Sequence, residues 1–129
     1  MKINHLALWV KDMEGMKDFY IQYFGVEASK IYTNQKKGFS SYFLTFEDGF
    51  RLEIMSITDI KHLKNKSKTM YDGYSHISFS LGSKEEVLQK TKSFLDDGFT
   101  IVDGPRLTGD GYFESVILDP EDNRIELTI

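Results

Sequence analysis

Two periodicities alternate along this chain. From Ile3 to Val10, Leu6, Leu8 and Val10 share one parity and His5, Ala7 and Trp9 the other, the period-2 pattern of a strand. From Tyr74 to Leu81, Ile77, Phe79 and Leu81 oppose Tyr74, His76, Ser78 and Ser80. Leu52 and Ile54 oppose Arg51, Glu53 and Met55, and Ile125, Leu127 and Ile129 oppose Arg124, Glu126 and Thr128. In each of these four strands an aliphatic face suits packing under a helix, and the more polar face carries one histidine or one glutamate.

Helical spacing follows each opening strand. Asp12 is placed to cap a helix whose stripe is Met13, Met16, Tyr20 and Tyr23, with Gly25 as its stop. Ser83-Lys84-Glu85-Glu86 reads as a capping box, followed by an inward stripe of Val87, Thr91, Phe94 and Leu95 and a stop at Gly98. Ser41 to Phe46 then corresponds to Ser115 to Leu118. The turn clusters Glu47-Asp48-Gly49 and Asp119-Pro120-Glu121-Asp122-Asn123 both precede a glutamate strand.

The chain is thus a duplicated β-α-β-β-β unit: repeat one about 1–56, a linker about 57–73, repeat two about 74–129. The linker is rich in Lys, Ser, Thr and Asp and is expected to hold a short helix near Asp59 to Leu63. His62 in that stretch reads as exposed and inert. Neither repeat is long enough to bury a good core alone, so residues 1–129 are expected to act as a single domain.

The duplication changes the weight of four residues. Histidine rarely ligates from a lone strand position, but here His5 and His76 open equivalent strands, and Glu53 and Glu126 lie on equivalent closing strands at nearly equal spacing. Two imidazoles and two carboxylates suit Zn, Ni, Co, Fe or Mn as a single divalent ion, whose charge the carboxylates balance. With no cysteine in the chain, thiolate ligands and disulfides are excluded. A formal net charge of −4 argues against nucleic acid as a partner. No apolar run long enough to span a membrane is present, and the start lacks the pattern of a signal peptide; a cytoplasmic location is expected.

Asn4-His5-Leu6-Ala7, Gly73-Tyr74-Ser75-His76-Ile77-Ser78-Phe79 and Asp119-Pro120-Glu121-Asp122-Asn123-Arg124-Ile125-Glu126-Leu127, in that order, resemble the vicinal oxygen chelate superfamily of glyoxalases, bleomycin-resistance proteins and dioxygenases. The resemblance covers essentially the whole chain. It implies an α+β fold in which two βαβββ repeats form an open mixed-sheet barrel, and it places His5, Glu53, His76 and Glu126 at the family's metal-ligand positions. It further implies a glyoxalase-type lyase or isomerase acting on a small substrate with vicinal oxygens. The metal would stabilise an enediolate-like intermediate while a glutamate moves the proton, with Glu126 the first candidate and Glu53 the second. A homodimer is implied as well.

Parity and proximity suggest Trp9, Met55, Tyr112 and Phe113 as the substrate-contacting wall, with Gly109-Asp110-Gly111 a flexible turn beneath the last two. Glutathione-dependent glyoxalase I carries an arginine four residues after its first histidine and an asparagine four residues after its first glutamate. Trp9 and Ile57 stand there in this chain, so the resemblance implies a substrate other than a glutathione hemithioacetal. Two other classes share the fold: a small-molecule binding or antibiotic-resistance module, and an Fe(II) extradiol-type dioxygenase.

Overall fold

The computed structural model describes residues 1–61, 63, 66 and 68–129. His62 and Lys64 of the linker lie outside the described residues. The chain divides into two compact units, residues 1–62 and 63–129.

In unit one, β1 (Leu6–Trp9) runs into α1 (Met13–Phe24), followed by β2 (Glu27–Ala28), β3 (Tyr32–Asn34), β4 (Phe39–Thr45) and β5 (Arg51–Ile57). The sheet is mixed and open. β1 lies parallel to β5, β5 antiparallel to β4, and β2 and β3 both pair antiparallel with β4. The side chain of Asp12 accepts from the Gly15 amide and Gly25 closes the helix at φ 65°, the caps read from the sequence. Met13, Met16, Phe19, Tyr20 and Tyr23 are buried, and α1 packs on β4 and β5, where Leu44, Leu52 and Ile54 are fully buried. Each such side chain contributes about 1.5–3 kcal/mol by leaving water.

In unit two, β6 (His76–Ser80), α2 (Lys84–Asp96), β7 (Ile101–Leu107), β8 (Phe113–Leu118) and β9 (Arg124–Thr128) give a four-stranded mixed sheet in the order β6-β9-β8-β7. Ser83 caps α2 by accepting from the Glu86 amide. Val87, Thr91 and Phe94 meet the buried face formed by Ile117, Ile125 and Leu127. The Thr91 and Ser115 hydroxyls, both buried, lie 2.5 Å apart and satisfy each other within this apolar layer.

The structure differs from the sequence expectation in four places. The opening strands start later: β1 begins after His5, because its ladder to β5 starts only at Leu6, and β6 begins at His76 itself. Unit one has an extra strand. Residues 27–34 break into β2 and β3 around Ser29, whose hydroxyl accepts from the Phe43 amide, and the two pieces share one edge of β4. Unit two's β7 answers the same need with a bulge, where Gly104 (φ 74°) passes so close to β8 that a Cβ would lie 2.4 Å from the Glu114 carbonyl oxygen. Leu95, assigned to the inward stripe, is 60% exposed, because neighbouring Phe94 takes the inward direction and the next residue turns about 100° away. Finally, the described part of the linker contains no helix at residues 58–61 and 63. Asp59 adopts φ 66°, a left-handed turn conformation that ends β5.

Candidate metal-binding residues and their surroundings

The two halves of the sequence repeat become two pairs of side chains. In unit one, Glu53 sits mid-strand on β5, with Ala7 of β1 on one side and Phe43 of β4 on the other. His5 precedes β1 and turns its Nε2 toward Glu53 Oε2 at 3.6 Å. In unit two, Glu126 of β9 lies between Ser78 of β6 and Val116 of β8, and His76 Nε2 stands 3.5 Å from Glu126 Oε2. Both glutamate side chains are 16% exposed, and both histidines are about twice as open. These separations are long for hydrogen bonds but match two donors on one ion: atoms each about 2.0–2.2 Å from a metal at a tetrahedral angle lie roughly 3.3–3.6 Å apart.

The ring orientation of His5 has a traceable cause. Arg51 Nη2 donates to Asn4 Oδ1 at 2.6 Å, and a guanidinium has no acceptor, so the Asn4 atom it meets is the oxygen. That oxygen lies 2.8 Å from His5 Nδ1, which must therefore carry the proton. Nε2 is left with its lone pair, aimed at Glu53, as a ligating imidazole requires. The His5 ring also stands edge-on to Phe43 at 5.3 Å, and the Arg51 guanidinium lies over the other partner of that stack, 4.7 Å from the Phe43 centroid. In unit two the corresponding contact is looser, with Ser75 Oγ 3.4 Å from His76 Nδ1. There the carboxylate is held instead: Ser78 Oγ donates to Glu126 Oε1 at 2.6 Å.

Among the described residues, no three histidines, aspartates or glutamates gather closely enough to hold a metal ion. Each unit by itself offers two donors. The chemistry of each pair, an imidazole Nε2 facing a carboxylate oxygen, fits a divalent ion.

Trp9 and Met55, in register on β1 and β5, share Glu53's side of the sheet. Trp9 is 47% exposed and edge-on to Phe39, which in turn meets Tyr32, both ring pairs at 6.1 Å. Tyr112 is exposed, in a turn where the Thr108 hydroxyl accepts from the Tyr112 amide and donates to Asp110. Phe113 lies on the other side of its sheet. It shares parity with buried Ser115 and Ile117, and Lys84 of α2 sits 4.9 Å over its ring, whereas Glu126 faces the opposite way with Glu114 and Val116.

The sequence reading missed Glu114, Asn4, Ser78, Phe39 and Phe43. Glu114 falls on Glu126's side of β8, next in the ladder to Thr128, and its carboxyl is pushed above the ordinary range, first by burial and then by the Glu126 charge. The period-2 rule applied to residues 113–118 would have found it. A cleft of about 360 Å³ in unit one, lined by Lys11, Met13, Ile31, Ser40, Ser56 and Thr58 among others, opens on the helix side of β4 and β5, away from Glu53.

No described helix is long and apolar enough to cross a membrane. Solved structures similar to this chain include a possible glyoxalase from Bacillus cereus (24% identity, TM-score 0.71, covering 100% of this chain and 99% of that one). The trypanothione-dependent glyoxalase I of Leishmania major is similar at 17% identity and TM-score 0.75, covering 99% and 86%. The fosfomycin resistance protein FosX of Listeria monocytogenes is similar at 20% identity and TM-score 0.70, covering 98% and 89%. At these identities the similarity is one of fold. No curated protein matches the chain. A family model matches residues 2–127, nearly the whole sequence. The chain belongs to the Glyoxalase/Bleomycin resistance protein/Dioxygenase superfamily.

Proposed function

We propose that this protein is a divalent-metal-dependent lyase or isomerase of glyoxalase type, acting on a small substrate with vicinal oxygens. The observation that carries the reading is the approach of an imidazole Nε2 to a carboxylate oxygen in each unit, at 3.6 and 3.5 Å. In this reading His5, Glu53, His76 and Glu126 are the ligand set. An ion bound there supplies Lewis acidity toward two adjacent substrate oxygens. The chain's own contribution is positioning and proton movement. Asn4 fixes the imidazole of His5, and a glutamate takes a proton from the carbon beside those oxygens and returns it to the neighbouring carbon. Trp9 and Met55 flank Glu53 and offer an apolar wall to the rest of the substrate. The working form in this reading is a cytoplasmic homodimer.

The test is elemental analysis of protein purified without a chelating tag, beside a His5→Ala, His76→Ala double variant. About one equivalent of Ni, Zn, Co, Fe or Mn per chain, lost in the double variant, is the expected result. Protein that stays metal-free after incubation with each ion would overturn the reading and favour a binding module.

A further inference from the structure

The repeat makes Glu53 and Glu126 equivalent, yet their surroundings differ at one atom. Each glutamate has, in register on the neighbouring parallel strand, the residue two after its histidine. For Glu126 this is Ser78, whose hydroxyl donates to Oε1 at 2.6 Å while Oε2 faces His76. For Glu53 it is Ala7, which has no hydrogen-bonding side chain. Among the described residues no hydrogen bond holds Glu53, and its one ion-pair partner is His5 at 3.6 Å. The two side chains are equally exposed and stand at nearly the same distance from their histidines, so burial does not separate them. The hydroxyl does.

We infer that Glu126 is the fixed carboxylate, pre-set by Ser78 as a one-oxygen ligand, and that Glu53 is the carboxylate free to swing and carry the proton. This rests on the function proposed above and reverses the order that family resemblance implies. A carboxylate already bound by a hydroxyl has one oxygen committed, and re-aiming it breaks a charge-assisted hydrogen bond. An untethered carboxylate changes rotamer without that loss. Glu53 takes the proton from the substrate C–H, the bond's electron pair remains on the substrate, and the same proton returns to the adjacent carbon, so no atom or electron is gained or lost. Ser78 is a positioning residue in this scheme, acting through Glu126.

The experiment is titration with Co²⁺, followed by its visible absorption, on the full chain and on Glu53→Gln, Glu126→Gln, Ser78→Ala, Ser78→Thr and Ala7→Ser. Ser78 is exposed, so its substitution leaves the fold intact, checked by circular dichroism. We expect Ser78→Ala to weaken Co²⁺ binding by about ten- to a hundredfold, the usual effect of losing a residue that orients a ligand. Ser78→Thr, which keeps the hydroxyl, should restore it. Glu126→Gln should cost more affinity than Glu53→Gln, and Ala7→Ser should tighten binding. Wild-type protein that binds no Co²⁺ would remove the function proposed above. Wild-type binding with an unaffected Ser78→Ala, or with Glu53→Gln costing as much as Glu126→Gln, would leave that function standing and overturn this inference.

Discussion

Asn4 does its work with one oxygen. It receives Arg51 and His5 Nδ1 together, so removing it releases both the guanidinium and the imidazole. Asn4→Leu should therefore weaken metal affinity about tenfold or more, and nitrogen NMR should show His5 losing its single Nδ1–H tautomer. A second residue-scale contact ties α1 to its sheet. The Tyr42 hydroxyl donates to Glu14 at 2.6 Å, and Lys17 and then Tyr42 hold the Glu14 carboxyl below its ordinary value. Because the folded value is depressed, the stabilisation is complete above the unfolded carboxylate range and is lost as pH falls through the folded value. In Tyr42→Phe a carboxyl titration by NMR should show Glu14 moving back up, with the remaining depression due to Lys17. None of these contacts could be read from sequence. A donor and acceptor 47 residues apart, such as Arg51 and Asn4, leave no periodic trace. By contrast, His5, Glu53, His76 and Glu126 stand out as candidates because duplication presents the histidine strand and the glutamate strand twice.

At the scale of elements, the caps and the buried stripes follow from local chemistry, and the structure keeps them. The phase of α2 does not follow as cleanly. Phe94 and Leu95 are both apolar neighbours, and a sequence stripe accepts either, but only one can face Ile117 and Leu127. Phe94→Ala should cost about 3–5 kcal/mol by opening a cavity in the core. Leu95→Ser should stay within about 0.5 kcal/mol, as exposed substitutions do; urea midpoints separate the two. The split of β2 from β3 and the bulge in β7 were illegible for a related reason. Both depend on how an edge strand meets its partner: Ser29 takes the Phe43 amide of β4, and Gly104 passes close to β8, contacts that a period-2 pattern does not encode. The side taken by Phe113 was legible in principle, since alternation from buried Ser115 assigns it to the helix face. Its nearness to a glycine turn was the weaker signal.

At the scale of the whole molecule, each unit is a half-equipped device with one imidazole and one carboxylate. Two donors alone hold a divalent ion weakly, and four hold it well. The proposed four-residue ligand set predicts one equivalent per chain and strong non-additivity: His5→Ala and His76→Ala should each remove most of the affinity, and the double variant little more. Two independent weak sites, with additive losses, would mean that each unit acts alone. A bound ion also couples metal to folding. At a free concentration a hundred times its dissociation constant, it should add about 2.7 kcal/mol of stability, visible as a drop in Tm on adding a chelator.

Trp9 has a consequence beyond packing. It is the chain's single tryptophan, it stands half-exposed on the side of the sheet that bears Glu53, and its ring borders Phe39. The protein's indole emission thus comes from one place only, in register with Met55, two residues along β5 from the carboxylate we assign to proton transfer. Nature has built an optical probe into the molecule. Loading with an open-shell ion such as Ni²⁺ or Co²⁺ should dim it, a closed-shell ion such as Zn²⁺ should not, and a library of unlabelled compounds can be screened by watching that one colour.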